Sequence, residues 1–173
     1  MDSTIWKDFI NVLNNPLTTK DYINYYKIIT SWIQSHRNNF KSETLSENRL
    51  NLLIKLNPDV YVVETPGFLL DDEKKRFEKN EPDNFDNFAM ILGNRLWDMV
   101  TNRGKECPNC EGDEMRYLIT KEENCSEIIL ECNSCGWTET INGEKWRRGI
   151  IETLPANRKD LQRFNIVLNF KKF

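Results

Sequence analysis

The chain has 173 residues, 39% of them hydrophobic, with five Trp, five Tyr and nine Phe, enough large apolar side chains to fill a core and too many for a disordered polypeptide. No apolar run approaches the roughly 20 residues that cross a bilayer, and residues 1–6 lack the basic stretch and apolar segment of a secretion signal, so the expectation is a cytoplasmic chain with no membrane partner. The net charge of −3 is unevenly spread: Lys and Arg against Asp and Glu count 12 to 15 over residues 1–102, 7 to 10 over 103–148 and 5 to 2 over 149–173, so only the tail is basic.

In chain order, Ile5, Phe9, Val12 and Leu13 recur at helical spacing and stop before Pro16. Tyr22, Ile23, Tyr26, Ile29, Trp32 and Ile33 predict a stronger helix, and Thr18 with Asp21 has the spacing of a capping box. A third helix is expected over 44–56, using Leu45, Leu52, Leu53 and Leu56, and ended by Asn57-Pro58. Residues 60–63, Val-Tyr-Val-Val, read as a short strand, and Thr65-Pro66-Gly67 as a turn. The charged stretch 71–83 reads as a solvated helix or a loop, after which Phe85, Phe88, Leu92, Leu96 and Met99 restore helical period, with Gly104 as the stop. Near the end, Phe164, Ile166, Leu168 and Phe170 alternate with Asn165, Val167, Asn169 and Lys171, which predicts a half-buried final strand.

Cys107, Cys110, Cys132 and Cys135 form two Cys-x-x-Cys pairs separated by 21 residues. Two intervening residues let one tight turn aim both sulfurs at a single ion, and about 15–20 residues suffice for a hairpin that returns the second pair to complete a tetrahedron. Residues 115–120 and 127–131 read as the hairpin strands and 137–141 as a third strand, before the Asn142-Gly143 turn. Four thiolates close the coordination sphere, so the expected cofactor is one structural zinc ion, with four-thiolate iron as the alternative metal. Cys125 lies in the hairpin turn and reads as a spectator.

These residues resemble the zinc-ribbon superfamily over 105–142, where Cys135-Gly136 matches the common knuckle and the first knuckle departs, with Glu111 ahead of Gly112. The resemblance implies a structural metal and is unspecific for activity. Ribbons of transcript-cleavage elongation factors carry an acidic pair at the hairpin tip, where this chain has Glu122-Glu123, but the Arg-Ser-Ala run before it is missing.

His36 is the only histidine, so neither a Cys-His pair near the ribbon nor a Ser-His-Asp triad is suggested, and its position reads as a helix end. Glu64, Asp71 and Asp72 could meet in a cleft, but no spacing selects a pair for acid–base work, and no glycine-rich phosphate loop is present. No catalytic residue is therefore assigned. Lys145, Arg147, Arg148, Arg158, Lys159, Arg163, Lys171 and Lys172, with Trp146 among them, form the one candidate nucleic-acid face, and a nucleic-acid-binding ribbon would use Trp137, Trp146, Arg147 and Arg148.

The expected fold is α+β: a mainly helical domain over 1–104 containing a short strand, a three-stranded four-cysteine zinc ribbon over 105–142, and a basic extension over 143–173 packed on the rest and ending in a strand. The expected role is non-enzymatic protein binding, with a basic partner such as a nuclease toxin; a bacterial immunity protein is one concrete form. Acidic residues near Phe85, Phe88 and Trp97 would supply the binding face. A nucleic-acid-binding or transcription-associated ribbon is the alternative.

Overall fold

The structure, a computed structural model, describes residues 3–64, 66–121, 126–146 and 152–168. The chain divides into two compact units, Met1–Val100 and Thr101–Phe173. The first is helical and the second is built on an antiparallel sheet, giving an α+β protein with helices mainly N-terminal and strands C-terminal.

In the first unit, α1 (Ser3–Leu13), α2 (Tyr22–Ser35) and α7 (Phe85–Val100) meet over a core of aromatic rings. Phe9 is fully buried at its centre, with ring centroids 4.8 Å from Phe88, 5.0 Å from Trp32 and 5.2 Å from Phe77, each pair tilted edge to face as the ring quadrupoles favour. Phe77 comes from α6 (Leu70–Lys79), so the charged stretch is a helix as far as Lys79, and Glu73 and Phe77, four residues apart, form its buried side. Asp21 caps α2 by accepting the amide of Asn24 at 2.8 Å. Thr18 instead turns inward and donates its hydroxyl to the Val12 carbonyl at 2.7 Å, so the predicted capping box does not form and Thr18 serves the end of α1.

Two other expectations are corrected in this unit. The single helix over 44–56 is split into α3 (Ser42–Glu47) and α4 (Leu50–Leu53) by Arg49, which adopts φ 59° and lays its guanidinium 4.4 Å from the Trp97 ring centroid. The corner exists because α7 touches it at a glycine: a Cβ on Gly93 would lie 2.4 Å from the Asn48 carbonyl oxygen. The strand expected over 60–63 is absent, because Asn57 and Pro58 start a helix as well as ending one. Asn57 caps α5 (Pro58–Tyr61) by accepting the Asp59 amide, and Pro58 sits in the first helical turn, where its missing N–H costs nothing. Val62 and Val63 follow without strand partners, the Val63 amide donating to the Met99 carbonyl at 2.8 Å.

In the second unit, β1 (Arg103–Glu106), β2 (Glu114–Thr120), β3 (Ile128–Cys132) and β4 (Thr138–Thr140) are hydrogen-bonded in that order, all antiparallel. β5 (Thr153–Pro155) pairs with the far half of β2, so β1 and β5 share one edge of that strand in succession. Gly104 does not stop α7; it lies in β1, where a Cβ would come within 2.7 Å of Leu130 and 3.2 Å of the Tyr117 ring.

The final strand expected from the alternation of Phe164, Ile166 and Leu168 does not form over the described residues. Asn157 and Asp160 make a reciprocal capping box for α8 (Arg158–Arg163). The helix then ends in a Schellman motif: Asn165 takes φ 56°, its amide donates to Gln162, and the Ile166 amide reaches back to Leu161 at 2.9 Å. The alternating apolar residues pack against Ile128, Ala156 and Leu161 instead of pairing as a strand. Phe170 lies outside the described residues, as do Thr65 of the predicted turn and Asn169 and Lys171.

Because Gly93 carries the corner between α3 and α4, Gly93→Ala should lower the stability of the helical unit by about 1–3 kcal/mol through overpacking. Urea unfolding followed by far-ultraviolet circular dichroism measures this; an unchanged midpoint would mean that the corner yields without cost.

Candidate metal centre

Each cysteine pair occupies a tight turn, and the two turns repeat one another. In the first, the Glu111 amide donates to the Cys107 carbonyl at 3.0 Å; in the second, the Gly136 amide donates to the Cys132 carbonyl at 2.9 Å. The residue after the second cysteine is left-handed in both, with φ 50° at Glu111 and 70° at Gly136. Glycine enters this region freely, whereas a side chain costs on the order of 1–3 kcal/mol there. The first knuckle's departure from the familiar pattern is therefore local strain at Glu111 and leaves the geometry of the turn intact.

The sheet brings the turns together. Pairing of β2 with β3 sets Met115 opposite Cys132, and Cys107 lies seven residues before Glu114, which begins β2. Cys107 and Cys132 are buried with Met115 and Leu130, while Cys110 and Cys135 are exposed. All four thiols are free, and their sulfurs lie within 4.8 Å of one another. Cys107 Sγ is 3.6 Å from Cys135 Sγ, and Cys110 Sγ is 3.7 Å from Cys132 Sγ. A tetrahedral ion with metal–sulfur bonds of about 2.3 Å requires sulfur–sulfur edges of about 3.8 Å, so the donor set fits one four-coordinate metal ion. The separations are far beyond the ~2.05 Å of a disulfide.

Asn109 supports the sulfurs from outside, its backbone amide 3.4 Å from Cys107 Sγ and its side-chain amide 3.5 Å from Cys135 Sγ. That side-chain amide, with the Trp137 backbone amide, brings the Cys135 thiol down to about 6, whereas burial pushes Cys132 up to about 12. Outer hydrogen bonds of this kind orient ligands and stabilise thiolate charge. With four protein thiolates, a bound ion has no position left for water or substrate.

Of the other residues singled out by the sequence, His36 caps the end of α2. Its ring stacks on Trp32 at 4.3 Å, with Nδ1 3.0 Å from the Trp32 carbonyl and Nε2 3.5 Å from Asp8. Glu64, Asp71 and Asp72 are exposed, the last two in the first turn of α6. Phe88 and Trp97 are core residues and cannot serve as surface anchors, and Phe85 is half-buried against Phe40. Lys145 is exposed beside Trp137, and Arg158, Lys159 and Arg163 lie on α8. Glu122, Glu123, Cys125, Arg147, Arg148 and Lys172 lie outside the described residues.

Sequence reasoning passed over two buried carboxylates. Glu139, 1% exposed, accepts the indole N–H of Trp137 at 3.0 Å and pairs with Lys105. Burial alone would raise its carboxyl, but Lys105 and Trp137 outweigh that and hold it below the usual range. The signal was Trp137-x-Glu139 in a strand, since residues two apart share a face. In the helical unit, Glu73 Oε1 meets Arg95 Nε at 2.7 Å beside fully buried Tyr25, and burial pushes the Glu73 carboxyl upward against the pull of Arg95. No sequence spacing marks that pair, because α6 and α7 are joined only through the fold.

Compared with known proteins, the chain matches no family model, no curated protein and no solved structure. The case for a metal therefore rests on the geometry itself, which is compatible with a zinc ribbon.

Glu111→Gly should relieve the left-handed strain and, after the larger entropy of an unfolded glycine is subtracted, raise stability by about 0.5–1 kcal/mol. The competing-chelator concentration that strips half of the metal should rise with it; a fall would show that the Glu111 side chain supports the knuckle. Cys132→Ser removes a buried ligand and should abolish stoichiometric metal binding, read by elemental analysis.

Proposed function

We propose that the cysteine centre holds one zinc ion in a structural role and that the chain is a non-enzymatic protein-binding protein whose helical unit receives a basic partner. The thiolate tetrahedron supports the first half: its closed coordination can fasten β2 to β3 and offers no site for reaction. Iron would fit the same sulfurs. Zinc is favoured because it needs no redox partner, and the same thiols need a reducing compartment, which argues for the cytoplasm. Among the described residues, no helix is long and apolar enough to cross a membrane.

A groove in the helical unit carries the second half. It has a volume of about 720 Å³ and opens beside α3 and the start of α7, with Glu43, Glu47 and Asp86 against the single cation Lys41. Lys41 is already committed to Asp86 at 2.9 Å, and among the described residues Glu43 and Glu47 on the rim have no ion-pair partner. Met90, 48% exposed, gives the same groove a flexible apolar anchor. Carboxylates beside an apolar anchor suit a basic protein, through steering during approach and burial at contact. A bacterial immunity protein that neutralises a basic nuclease toxin is the concrete form of this reading.

Purified protein should contain about one zinc per chain and be colourless; stoichiometric iron with visible absorption would replace zinc in this account. Affinity purification with mass spectrometry should recover a basic protein, and the double substitution Glu43→Lys, Glu47→Lys should lose it. Recovery of no protein partner sinks the protein-binding reading, and a partner retained by the double variant sinks the groove.

A further inference from the structure

The ribbon has a second surface feature that the protein-binding reading does not use. Beside the second knuckle lies a groove of about 420 Å³ lined by Asn109, Cys135, Gly136, Trp137, Thr138, Lys145 and Trp146. Two half-buried tryptophans share this small groove, and one of them is held in place. The indole N–H of Trp137 is tied to Glu139, whose buried carboxylate is neutralised by Lys105 from β1. Glu139 is buried while Lys105 is half exposed, so desolvation of the carboxylate offsets much of the attraction, and what the pair supplies is a fixed ring orientation.

Lys145 lies over that ring, its ammonium 4.8 Å from the Trp137 centroid. It is exposed and, among the described residues, has no carboxylate within ion-pair distance. Its position is set by the backbone, because Lys145 bridges to Glu139 and the Trp146 amide donates to the Thr138 carbonyl at 2.9 Å. The groove thus combines flat aromatic surface, one uncompensated cation and the hydrogen-bonding side chains of Asn109 and Thr138. Its wall is open at Gly136, where a Cβ would meet nothing within 4 Å.

We propose that this groove binds single-stranded nucleic acid: an unpaired base stacks on Trp137 in place of the Lys145 ammonium that covers its ring, with Trp146 beside it, and the adjoining phosphate draws Lys145 off the ring. Every base offers a π-face, and stacking plus a backbone cation is the arrangement that holds single strands without reading sequence. The thiolate centre adjoining Cys135 carries negative charge, so the uncharged base takes the knuckle side and the phosphate takes the Lys145 side. An acidic peptide would satisfy Lys145 and leave the tryptophan faces unused. A duplex hides its base faces in the stack and could not use them either.

The test uses the full metal-loaded chain at low salt, with fluorescently labelled 12-nucleotide oligo(U) and oligo(dT), a 12-base-pair duplex, and uridine monophosphate. Both single strands should bind with quenching of tryptophan fluorescence. Trp146→Ala should weaken them at least about fivefold. Lys145→Gln, which leaves the aromatic surface in place, should flatten the slope of log affinity against log salt by about 0.7. Circular dichroism and metal content should match the parent chain in both variants, and if Trp146→Ala fails that check, Lys145→Gln alone decides. Absence of binding, equal binding of the duplex, or affinity for uridine monophosphate equal to that for the strands each overturns the proposal. So does strand binding that neither substitution changes, which would place it elsewhere on the chain. None of these outcomes depends on the partner of the helical unit.

Discussion

The sheet unit depends on one constraint: two tight turns, 21 residues apart, must bring four sulfurs to the corners of one tetrahedron. Register enforces it. With Met115 opposite Cys132 and Ile119 opposite Ile128, β2 and β3 leave one end of the hairpin at the knuckles. A one-residue slip would turn Cys132 to the other face of the sheet and break the centre. The metal-site geometry and the strand register are therefore the same fact seen from two ends. The apolar cluster at that end is small, with Met115 and Leu130 the only non-cysteine residues buried in it among the described residues.

This coupling explains what was legible in the sequence. The knuckles and the three ribbon strands were readable because their signals are local: Cys-x-x-Cys spacing, β-branched runs and a polar turn. The helices α1, α2 and α7 were readable from apolar period for the same reason. The failures lie where a local signal had two physical outcomes. Asn57-Pro58 both stops one helix and starts another, and the Asn57 side-chain cap decided it. Alternating Phe164, Ile166 and Leu168 fit either a strand or apolar residues flanking a Schellman turn, and Asn165 at positive φ decided for the turn. The break at Arg49 has no local signal, since Gly93, the residue that permits it, lies 44 positions away in sequence.

The candidate site was legible as ligands and hidden as environment. Four cysteines announce themselves by spacing, whereas Asn109 is the third residue of Cys-Pro-Asn-Cys and looks like turn filler. Its two contacts, one to Cys107 and one to Cys135, tie the first knuckle to a ligand of the second. Similarly, Lys105 and Glu139 are unremarkable charges in sequence, yet they meet across the sheet because Gly104 keeps Tyr117 and Leu130 close to β1. These polar groups reach partners far away in sequence, Asn109 to Cys135 and Lys105 to Glu139, and only the fold could bring them together.

The two ends of the sheet are held by different means. At the knuckle end, little apolar area is buried, and a structural four-thiolate metal site can supply on the order of 10–16 kcal/mol of apparent binding energy. At the other end, Ile128, Ala156 and Leu161 are buried together, and Tyr117, Ile119, Phe164, Ile166 and Leu168 pack against them. That second cluster draws on β2, β3 and α8, with β5 clamped along β2, so hydrophobic burial can hold it without a metal. Trp137 lies at the knuckle end, packed against the cluster that holds Cys107 and Cys132. Its orientation therefore rests on both the four-cysteine cluster and the Glu139–Lys105 pair.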